Sequence, residues 1–182
     1  MMTTTTSRRE PLSPALNVRG ARDSYLAENG FTVEGYDAKW TQASFFGVPF
    51  RVPNTKRHSD AIKLHDLHHV ATGYGTDLVG EGEISAWEFQ RGVRALGLYV
   101  GSIVTAGLAA GLILAPRRTL AAWRAARGDA SLFHSKTSYE SLLAMSVGEL
   151  RDALGVPRHG VATAPRALHA FAPGAARAQA NG

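Results

Sequence analysis

The chain has 182 residues, 45% of them apolar, which suits one globular domain with a core of its own. The absence of cysteine excludes disulfides, thiolate metal sites and thiol catalysis, so any metal must be bound by histidine and carboxylate. The formal net charge of +5 comes from a basic excess in the second half, which fits either an anionic partner or a solvated basic face. No nucleic-acid-binding motif accompanies it.

The two ends of the chain are predicted to lie outside the folded domain. Residues 1–21 are polar and marked by proline, and they lack the apolar stretch of a secretory signal. Residues 159–182 are rich in alanine, proline and glycine, which is typical of disordered chain. We therefore expect one helical domain over residues 22–158 between two flexible tails.

The hydrophobic period changes near residue 55. Between Phe31 and Pro53 the apolar residues have no helical period and are interrupted by glycine and proline, which indicates extended or looped chain with at most a short hairpin. Ser59 or Asp60 can then cap a helix whose apolar residues follow at helical spacing until Gly73, which stops it.

A second helix is predicted directly after the turn GYGTD. Asp77 can cap this helix, which begins near Leu78 and runs through Glu88. Because the turn is short, we expect the two helices to form an antiparallel hairpin.

Residues 95–115 are uncharged and read ALGLYVGSIVTAGLAAGLILA. As one helix they would reach about 30 Å, enough to cross the hydrocarbon core of a bilayer. Three interpretations stay open: a transmembrane span, a buried core helix, or a pair of helical segments with a lipid-contacting surface. The glycines favour a break in the helix but also permit close helix packing in a membrane. Four flanking arginines suit lipid head groups, namely Arg91, Arg94, Arg117 and Arg118.

Two further helices complete a mostly α-helical fold. One is predicted from Pro116 to Arg127, with a basic outer face. The other has capping-box spacing between Ser146 and Glu149 and is stopped by Gly155.

The residues that carry chemistry lie on the predicted helix hairpin. His65 and His69 are one helical turn apart, and Asp66 lies on an adjoining strip of the same helix. Glu81 falls in the first turn of the returning helix, where its carboxylate can face the histidine pair. Imidazole nitrogen and carboxylate oxygen suit zinc, iron(II) or manganese(II), with positions left open for water or substrate.

The other polar residues near the hairpin receive simpler interpretations. Asp66 either binds the metal or accepts a ring N–H from a ligand and fixes its tautomer. His68 points elsewhere and is expected to have no metal role, and Glu83 and Glu88 face solvent or contact partners of the ligands. Histidines four residues apart also occur without a metal. The remaining histidines belong to no motif: His58, His134, His159 and His169.

The run His65-Asp66-x-x-His69, followed by eleven residues and Glu81, resembles a known family signature. It matches at all four positions the HDxxH-x11-E motif of the Coq4 family of ubiquinone-biosynthesis proteins. The similarity extends over residues 55–157. It is strongest over residues 64–90 and weaker in the apolar segment and in the final ELRDALGVP.

The resemblance implies a mostly α-helical, membrane-associated protein with a divalent metal, zinc or iron with manganese also admitted. Its ligands would be His65, Asp66, His69 and Glu81. The family acts on polyprenylated aromatic precursors of ubiquinone, with a proposed oxidative replacement of the C1 carboxyl group by hydroxyl, and it organises other enzymes of the pathway.

The partners that this resemblance implies are lipids and proteins. They are a polyprenylated quinone precursor or another isoprenoid lipid, a membrane surface and other quinone-biosynthesis proteins, with a homodimer also admitted and nucleic acid not expected. The expected location is the cytoplasmic face of a bacterial membrane, or the matrix side of the mitochondrial inner membrane in a eukaryote, with a single transmembrane span left open.

Two other classes of function fit the same residues, although an enzyme is preferred. One is a non-catalytic lipid-binding scaffold whose metal only joins the two helices of the hairpin. The other is a metal-dependent hydrolase, either a peptidase with HDxxH in place of HExxH or an HD-type phosphohydrolase. The peptidase would use a base one methylene shorter, and the phosphohydrolase needs distant ligands that no motif supplies.

Overall fold

The computed structural model describes residues 11–45, 48–128 and 130–163 of the chain. Within these residues the fold is mostly helical, with one two-stranded hairpin. The elements in chain order are α1 (Val18–Glu28), β1 (Trp40–Phe45), β2 (Val48–Pro53), α2 (Lys56–Thr72), α3 (Leu78–Arg91), α4 (Gly97–Leu114), α5 (Pro116–Ala125), α6 (Tyr139–Ala144) and α7 (Val147–Leu154). Short 3-10 helices lie at Val33–Asp37, Arg94–Leu96 and Leu132–His134.

The folded chain begins earlier than residue 22, where the sequence predicted the domain boundary. The side chain of Asn17 caps α1 by accepting from the backbone N–H of Arg19. Val18 and Ala21 are buried in the core, and the Val18 N–H donates to the carbonyl of Met145. Residues 18–21 were wrongly assigned to the tail, because their two small apolar side chains lie on the buried face of α1. The tail prediction for residues 1–10 falls outside the described residues.

The chain also continues to pack beyond residue 158. The backbone N–H groups of Val161 and Ala162 both donate to the carbonyl of Thr72, the last residue of α2. These bonds satisfy one of the carbonyls that a helix leaves open at its C-terminus. The predicted disordered tail therefore begins too early at residue 159, and its residues 164–182 lie outside the described part.

The segment before α2 forms the short hairpin that the sequence allowed. Strands β1 and β2 are antiparallel, with Trp40 opposite Pro53 and Phe45 opposite Val48. The strands carry the chain directly to Thr55, the cap of α2.

Helices α2 and α3 form the predicted antiparallel pair. Helix α2 begins at Lys56 rather than near Ser59, because the Thr55 side chain accepts from the His58 N–H and caps the helix one turn earlier. It ends at Gly73, whose φ of 86° is the left-handed conformation that glycine adopts readily. Helix α3 is capped by Asp77, as predicted.

The apolar segment forms one continuous helix, α4, which packs against α3. A Cβ added at Gly82 of α3 would lie 2.5 Å from the Cα of Gly111 in α4, so the two backbones are in direct contact. The glycines therefore provide close packing and do not break the helix, which corrects the interpretation as two segments. The opposite face of α4 is exposed, and Leu98 and Ile113 are 95% and 74% exposed.

Helix α4 is also the element that bears on membrane association. The stretch Arg94–Leu114 is long and apolar enough to cross a membrane, and 28% of its most apolar window is buried in the protein. This low share excludes a role as a fully buried core helix. Length and composition alone are weak support for a span, and they fit membrane association equally well.

Helices α5 and α7 form as predicted. Helix α5 has Pro116 in its first turn and ends at Ala125, two residues before the predicted end at Arg127. The capping box of α7 is present, with the Glu149 carboxylate accepting from the Ser146 N–H. The main core lies where α1, α2, α3, α6 and α7 meet, and its largest fully buried apolar side chains are Trp87, Leu67, Ile84, Leu142, Leu143, Leu150 and Leu154. Each such leucine contributes about 1.5–3 kcal/mol by its burial.

Candidate metal centre

Three of the four predicted ligands meet between α2 and α3. The Nε2 atoms of His65 and His69 lie 3.1 Å apart. The Glu81 carboxylate faces both rings, with Oε2 3.4 Å from His65 Nε2 and Oε1 3.5 Å from His69 Nε2. The three donor groups lie within 4.8 Å of one another and could hold a metal ion.

The separations of these donors fit a small divalent ion. Zinc has bonds of about 2.0–2.1 Å, and a tetrahedron with such bonds separates neighbouring ligand atoms by about 3.4 Å. The two Nε2 atoms are 3.1 Å apart, and each lies near this distance from a different Glu81 oxygen, His65 3.4 Å from Oε2 and His69 3.5 Å from Oε1. With one atom taken from each residue, the three donors lie within 4.8 Å of one another. Two imidazoles and one carboxylate also suit iron or manganese, so the donor set does not identify the ion. It leaves at least one coordination position for water or substrate.

The hydrogen bonds of the two rings direct their Nε2 atoms into the cluster. The Nδ1 of His69 lies 3.1 Å from the carbonyl oxygen of Tyr74, which can only accept, so this nitrogen carries the hydrogen. The Nδ1 of His65 lies 2.9 Å from Oε1 of Glu88, a carboxylate that likewise accepts. Both Nε2 atoms then present lone pairs to each other and to Glu81. Such a group of acceptors requires a proton or a metal ion between its members.

The electrostatics of the cluster favour a positive charge. Burial lowers the pKa of the His65 imidazole, but the charge of Glu88 and hydrogen bonds to Glu81 and Glu88 raise it well above its ordinary value. Burial raises the pKa of the Glu81 carboxyl, but the charge of His69 and hydrogen bonds from both histidines outweigh burial, so the pKa is lowered overall. The same fields that favour an imidazolium here also favour a bound cation.

Glu88 lies directly behind the donor cluster, although the sequence predicted for it only a solvent-facing or supporting position. Its side chain is fully buried, and its Oε1 accepts from Nδ1 of His65 at 2.9 Å and from Nδ1 of His68 at 2.8 Å. Burial raises its pKa, but the charges and hydrogen bonds of the two histidines outweigh burial and hold the pKa at about 2. Of the two positions predicted for it, the solvent-facing one is wrong, since its carboxylate contacts His65, one of the candidate ligands. Its position seven residues after Glu81, on the same face of α3, was the available signal.

His68 stays outside the donor cluster, as predicted. It is fully buried, and its Nε2 accepts from the backbone N–H of Leu132 at 3.2 Å. Its Nδ1 therefore carries the hydrogen that is donated to Glu88. Burial lowers the pKa of this imidazole.

Asp66 does not join the cluster, which corrects its prediction as a ligand. Its Oδ2 accepts from the Tyr36 hydroxyl at 2.5 Å, and burial raises the pKa of its carboxyl. Tyr36 belongs to the 3-10 helix Val33–Asp37, in the segment whose sequence had no helical period. Asp66 is one residue after His65 on α2 and is therefore turned about 100° away from it around the helix axis.

Two arginines that were expected at lipid head groups have internal partners instead. Arg118 binds both carboxylate oxygens of Glu83, at 2.9 and 2.7 Å, so the buried Glu83 does not face solvent. Arg91 is buried and donates to three backbone carbonyls beyond α5 and at the end of α7. Arg94 and Arg117 are exposed. The described histidines His58, His134 and His159 lie outside the donor cluster, and His169 lies outside the described residues.

The donor cluster lies at the edge of the helix pair and borders α4. The side chains of His65 and Glu81 are 25% and 39% exposed, whereas that of His69 is fully buried. A Cβ added at Gly107 of α4 would lie 3.8 Å from the carbonyl oxygen of Glu81. The site is therefore open on one side and in backbone contact with the apolar helix.

Comparisons with protein-family models, curated proteins and solved structures gave no match to this chain.

Proposed function

We propose that the protein is a metal-dependent, Coq4-like protein of ubiquinone biosynthesis. In this proposal it binds a polyprenylated aromatic precursor beside a divalent ion and takes part in C1 oxidative decarboxylation and hydroxylation, or organises the enzymes that do so. The observation that carries the proposal is the convergence of His65, His69 and Glu81 directly beside α4, whose outer face is apolar. The assignment to a Coq4-like family rests on the resemblance of the motif at residues 65–81.

The residues of the cluster have distinct roles in this proposal. His65, His69 and Glu81 hold the ion, while Glu88 and the carbonyl of Tyr74 orient the two rings. When bound, the ion supplies Lewis-acid stabilisation of charge on the head-group oxygens, or dioxygen activation if it is iron. The open side of the cluster admits the aromatic head group.

The exposed face of α4 suits the hydrocarbon tail of the substrate. Each buried CH₂ contributes about 0.8 kcal/mol, so a polyprenyl chain requires a long apolar surface. Leu98 and Ile113 lie towards opposite ends of such a surface, and both are exposed. Leu98 and Ile113 lie on the face of α4 opposite the one that contacts α3, so the head group of a lipid bound there must reach the ion around the side of α4. The same face fits a membrane surface, from which such a lipid would come.

The electron balance of the proposed reaction requires an oxidant. The bond between C1 and the carboxyl carbon breaks, CO₂ leaves and a bond from C1 to oxygen forms, so the substrate loses two electrons. If water supplies the hydroxyl oxygen, dioxygen accepts these electrons and becomes hydrogen peroxide. A reaction mixture for this protein must therefore contain dioxygen.

The experiment that tests the proposal combines elemental analysis of the purified protein with mass spectrometry of the lipid that co-purifies. We expect a stoichiometric divalent ion and a prenylated aromatic compound. The variant Glu81→Ala should lose the ion, and Glu140→Ala, at an exposed position on α6, should retain it. Protein without a divalent ion, or with ordinary phospholipid alone, would contradict the proposal.

A scaffold with a structural metal is the alternative that the geometry also favours, because the ligands join two helices. Glu81→Ala separates the two: a variant that stays folded but no longer converts the prenylated precursor indicates catalysis, whereas loss of the fold indicates a structural ion. The hydrolase alternative has less support. Asp66, which would replace the base of a peptidase motif, accepts a hydrogen bond from Tyr36.

A further inference from the structure

Glu88 contacts two histidines of α2 with a single oxygen atom. Its Oε1 lies 2.9 Å from Nδ1 of His65 and 2.8 Å from Nδ1 of His68, and the side chain is fully buried. Its Oε2 has no hydrogen-bond partner among the described residues. A buried carboxylate that leaves one oxygen unsatisfied carries a desolvation cost, which is unusual for a residue that only fills the core.

The hydrogen-bond pattern fixes which nitrogen of each ring carries the hydrogen. The backbone N–H of Leu132 donates to Nε2 of His68, so His68 carries its hydrogen on Nδ1 and donates it to Glu88. A carboxylate can only accept, so His65 also donates from Nδ1. The Nε2 of His65 is therefore the nitrogen left with a lone pair, and it is the atom that faces His69 and Glu81.

The chain of contacts also holds Glu88 in place. His68 is clamped between the Leu132 N–H on one side and Glu88 on the other, and its ring lies 5.0 Å from that of Trp87. The backbone of Glu88 is held in α3, and its carboxylate is held by the ring of His68 on α2, which lies outside the donor cluster. This arrangement fits a carboxylate that orients a metal-binding imidazole.

We propose that Glu88 is a positioning residue of the metal centre, which holds His65 in the tautomer and orientation that direct its Nε2 at the ion. His68 serves as the fixed support for Glu88. The inference rests on the proposed function only in that His65, His69 and Glu81 bind a divalent ion. It assigns Glu88 no contact with the ion or with substrate.

The test compares two substitutions at Glu88 with a matched substitution on the same helix. Glu88→Leu removes the acceptor, Glu88→Gln keeps a neutral oxygen acceptor, and Glu83→Gln changes another buried carboxylate whose partner is Arg118. Zinc affinity is measured by competition with a chelator, and the His65 tautomer by long-range ¹H–¹⁵N NMR of ¹⁵N-histidine-labelled protein with and without zinc. Thermal unfolding of the zinc-free proteins reports stability separately.

We expect Glu88→Leu to weaken zinc binding by about 10–100-fold and to remove the preference of His65 for hydrogen on Nδ1. Glu88→Gln should keep that tautomer and weaken binding by about fivefold, because a neutral acceptor polarises the imidazole less. Glu83→Gln should retain the affinity of the unchanged protein. If Glu88→Leu does not fold, the zinc affinity of Glu88→Gln tests the inference.

The inference is overturned if the Glu88 variants bind zinc as tightly as the unchanged protein, even when their thermal stability falls. In the zinc-loaded unchanged protein, a His65 ring with its hydrogen on Nε2 would also overturn it. Failure of the unchanged protein to bind any divalent ion is a separate result, which removes the proposed function itself.

Discussion

The Nε2 atoms of His65 and His69 lie 3.1 Å apart, although the Nδ1 atom of each ring is next to an oxygen that can only accept. Two imidazole lone pairs are therefore directed at one point, and the carboxylate of Glu81 faces the same point from α3. This arrangement is stable only with a positive charge at its centre. A proton or a divalent ion can supply that charge, and the three donors could hold such an ion.

The position of Asp66 leads to a prediction about metal affinity. Because its carboxylate binds the Tyr36 hydroxyl and lies outside the donor cluster, Asp66→Asn should weaken zinc binding by less than about tenfold. Glu81→Gln removes a charged ligand and should weaken binding by more than about 100-fold. Titration of the metal-free proteins with zinc, in competition with a chelator, compares the two. Equal losses for both variants would restore Asp66 as a ligand.

The contact between α3 and α4 predicts a large effect from a small substitution. Gly82→Ala would place a methyl group 2.5 Å from the Cα of Gly111, which forces the two helices apart and should cost about 1–3 kcal/mol of unfolding free energy. Gly20→Ala, at an exposed position of α1, is the matched control, since no atom lies within 4 Å of its added Cβ. It should stabilise the protein by up to about 1 kcal/mol through helix propensity. Urea unfolding measures both, and equal effects would disprove close contact of the helices.

The buried His58 predicts acid sensitivity of the fold. Burial lowers the pKa of its imidazole below the ordinary 6.5, and a hydrogen bond with the Pro53 backbone offsets this only in part. The unfolded chain therefore takes up a proton more readily than the folded chain, so this residue lowers the unfolding free energy as pH falls through 6.5 and contributes nothing well above that pH.

Substitution of His58 isolates this effect from those of the other titrating groups. His58→Gln should lose less unfolding free energy than the unchanged protein between about pH 7.5 and pH 5.5. Urea unfolding in the presence of a chelator at both pH values gives the comparison, and His159→Gln controls for the loss of an exposed histidine. An identical pH dependence for His58→Gln and the unchanged protein would show that His58 is not the cause.

The exposed face of α4 predicts binding to lipid vesicles. The double substitution Leu98→Ser and Ile113→Ser removes two exposed apolar side chains without touching the core, and it should lower the vesicle-bound fraction about tenfold or more. The control is Phe31→Ser with Val33→Ser, at positions that are 44% and 43% exposed outside α4. Flotation with vesicles that contain phosphatidylglycerol measures binding. Equal binding of both double variants would argue against α4 as the lipid contact.

Much of the helix hairpin was predictable from the sequence because its signals are local. Gly73 and Asp77 mark the end of one helix and the start of the next by the backbone conformation and the cap that each provides. The spacing of His65, His69 and Glu81 then follows from helical geometry and a short turn. These three residues meet in the structure as the spacing predicted.

The remaining features depend on tertiary contacts that no local pattern contains. Asp66 was predicted as a ligand because its partner, Tyr36, lies in a 3-10 helix thirty residues away with no period of its own. The sequence left open whether Glu88 faces solvent or supports the ligands, because its burial depends on His68 and on the backbone of Leu132. The course of α4 depended on whether its glycines meet another helix. The close contact between Gly111 of α4 and Gly82 of α3 keeps α4 continuous, and this contact exists only in the folded structure.

The most direct test of the metal centre is anomalous diffraction from crystals of the protein purified without chelators and loaded with zinc. We predict a single strong anomalous peak about 2.1 Å from Nε2 of His65, Nε2 of His69 and a carboxylate oxygen of Glu81. No peak at this place, or a Glu81 carboxylate turned away from both rings, would contradict the assignment of these residues as a metal site.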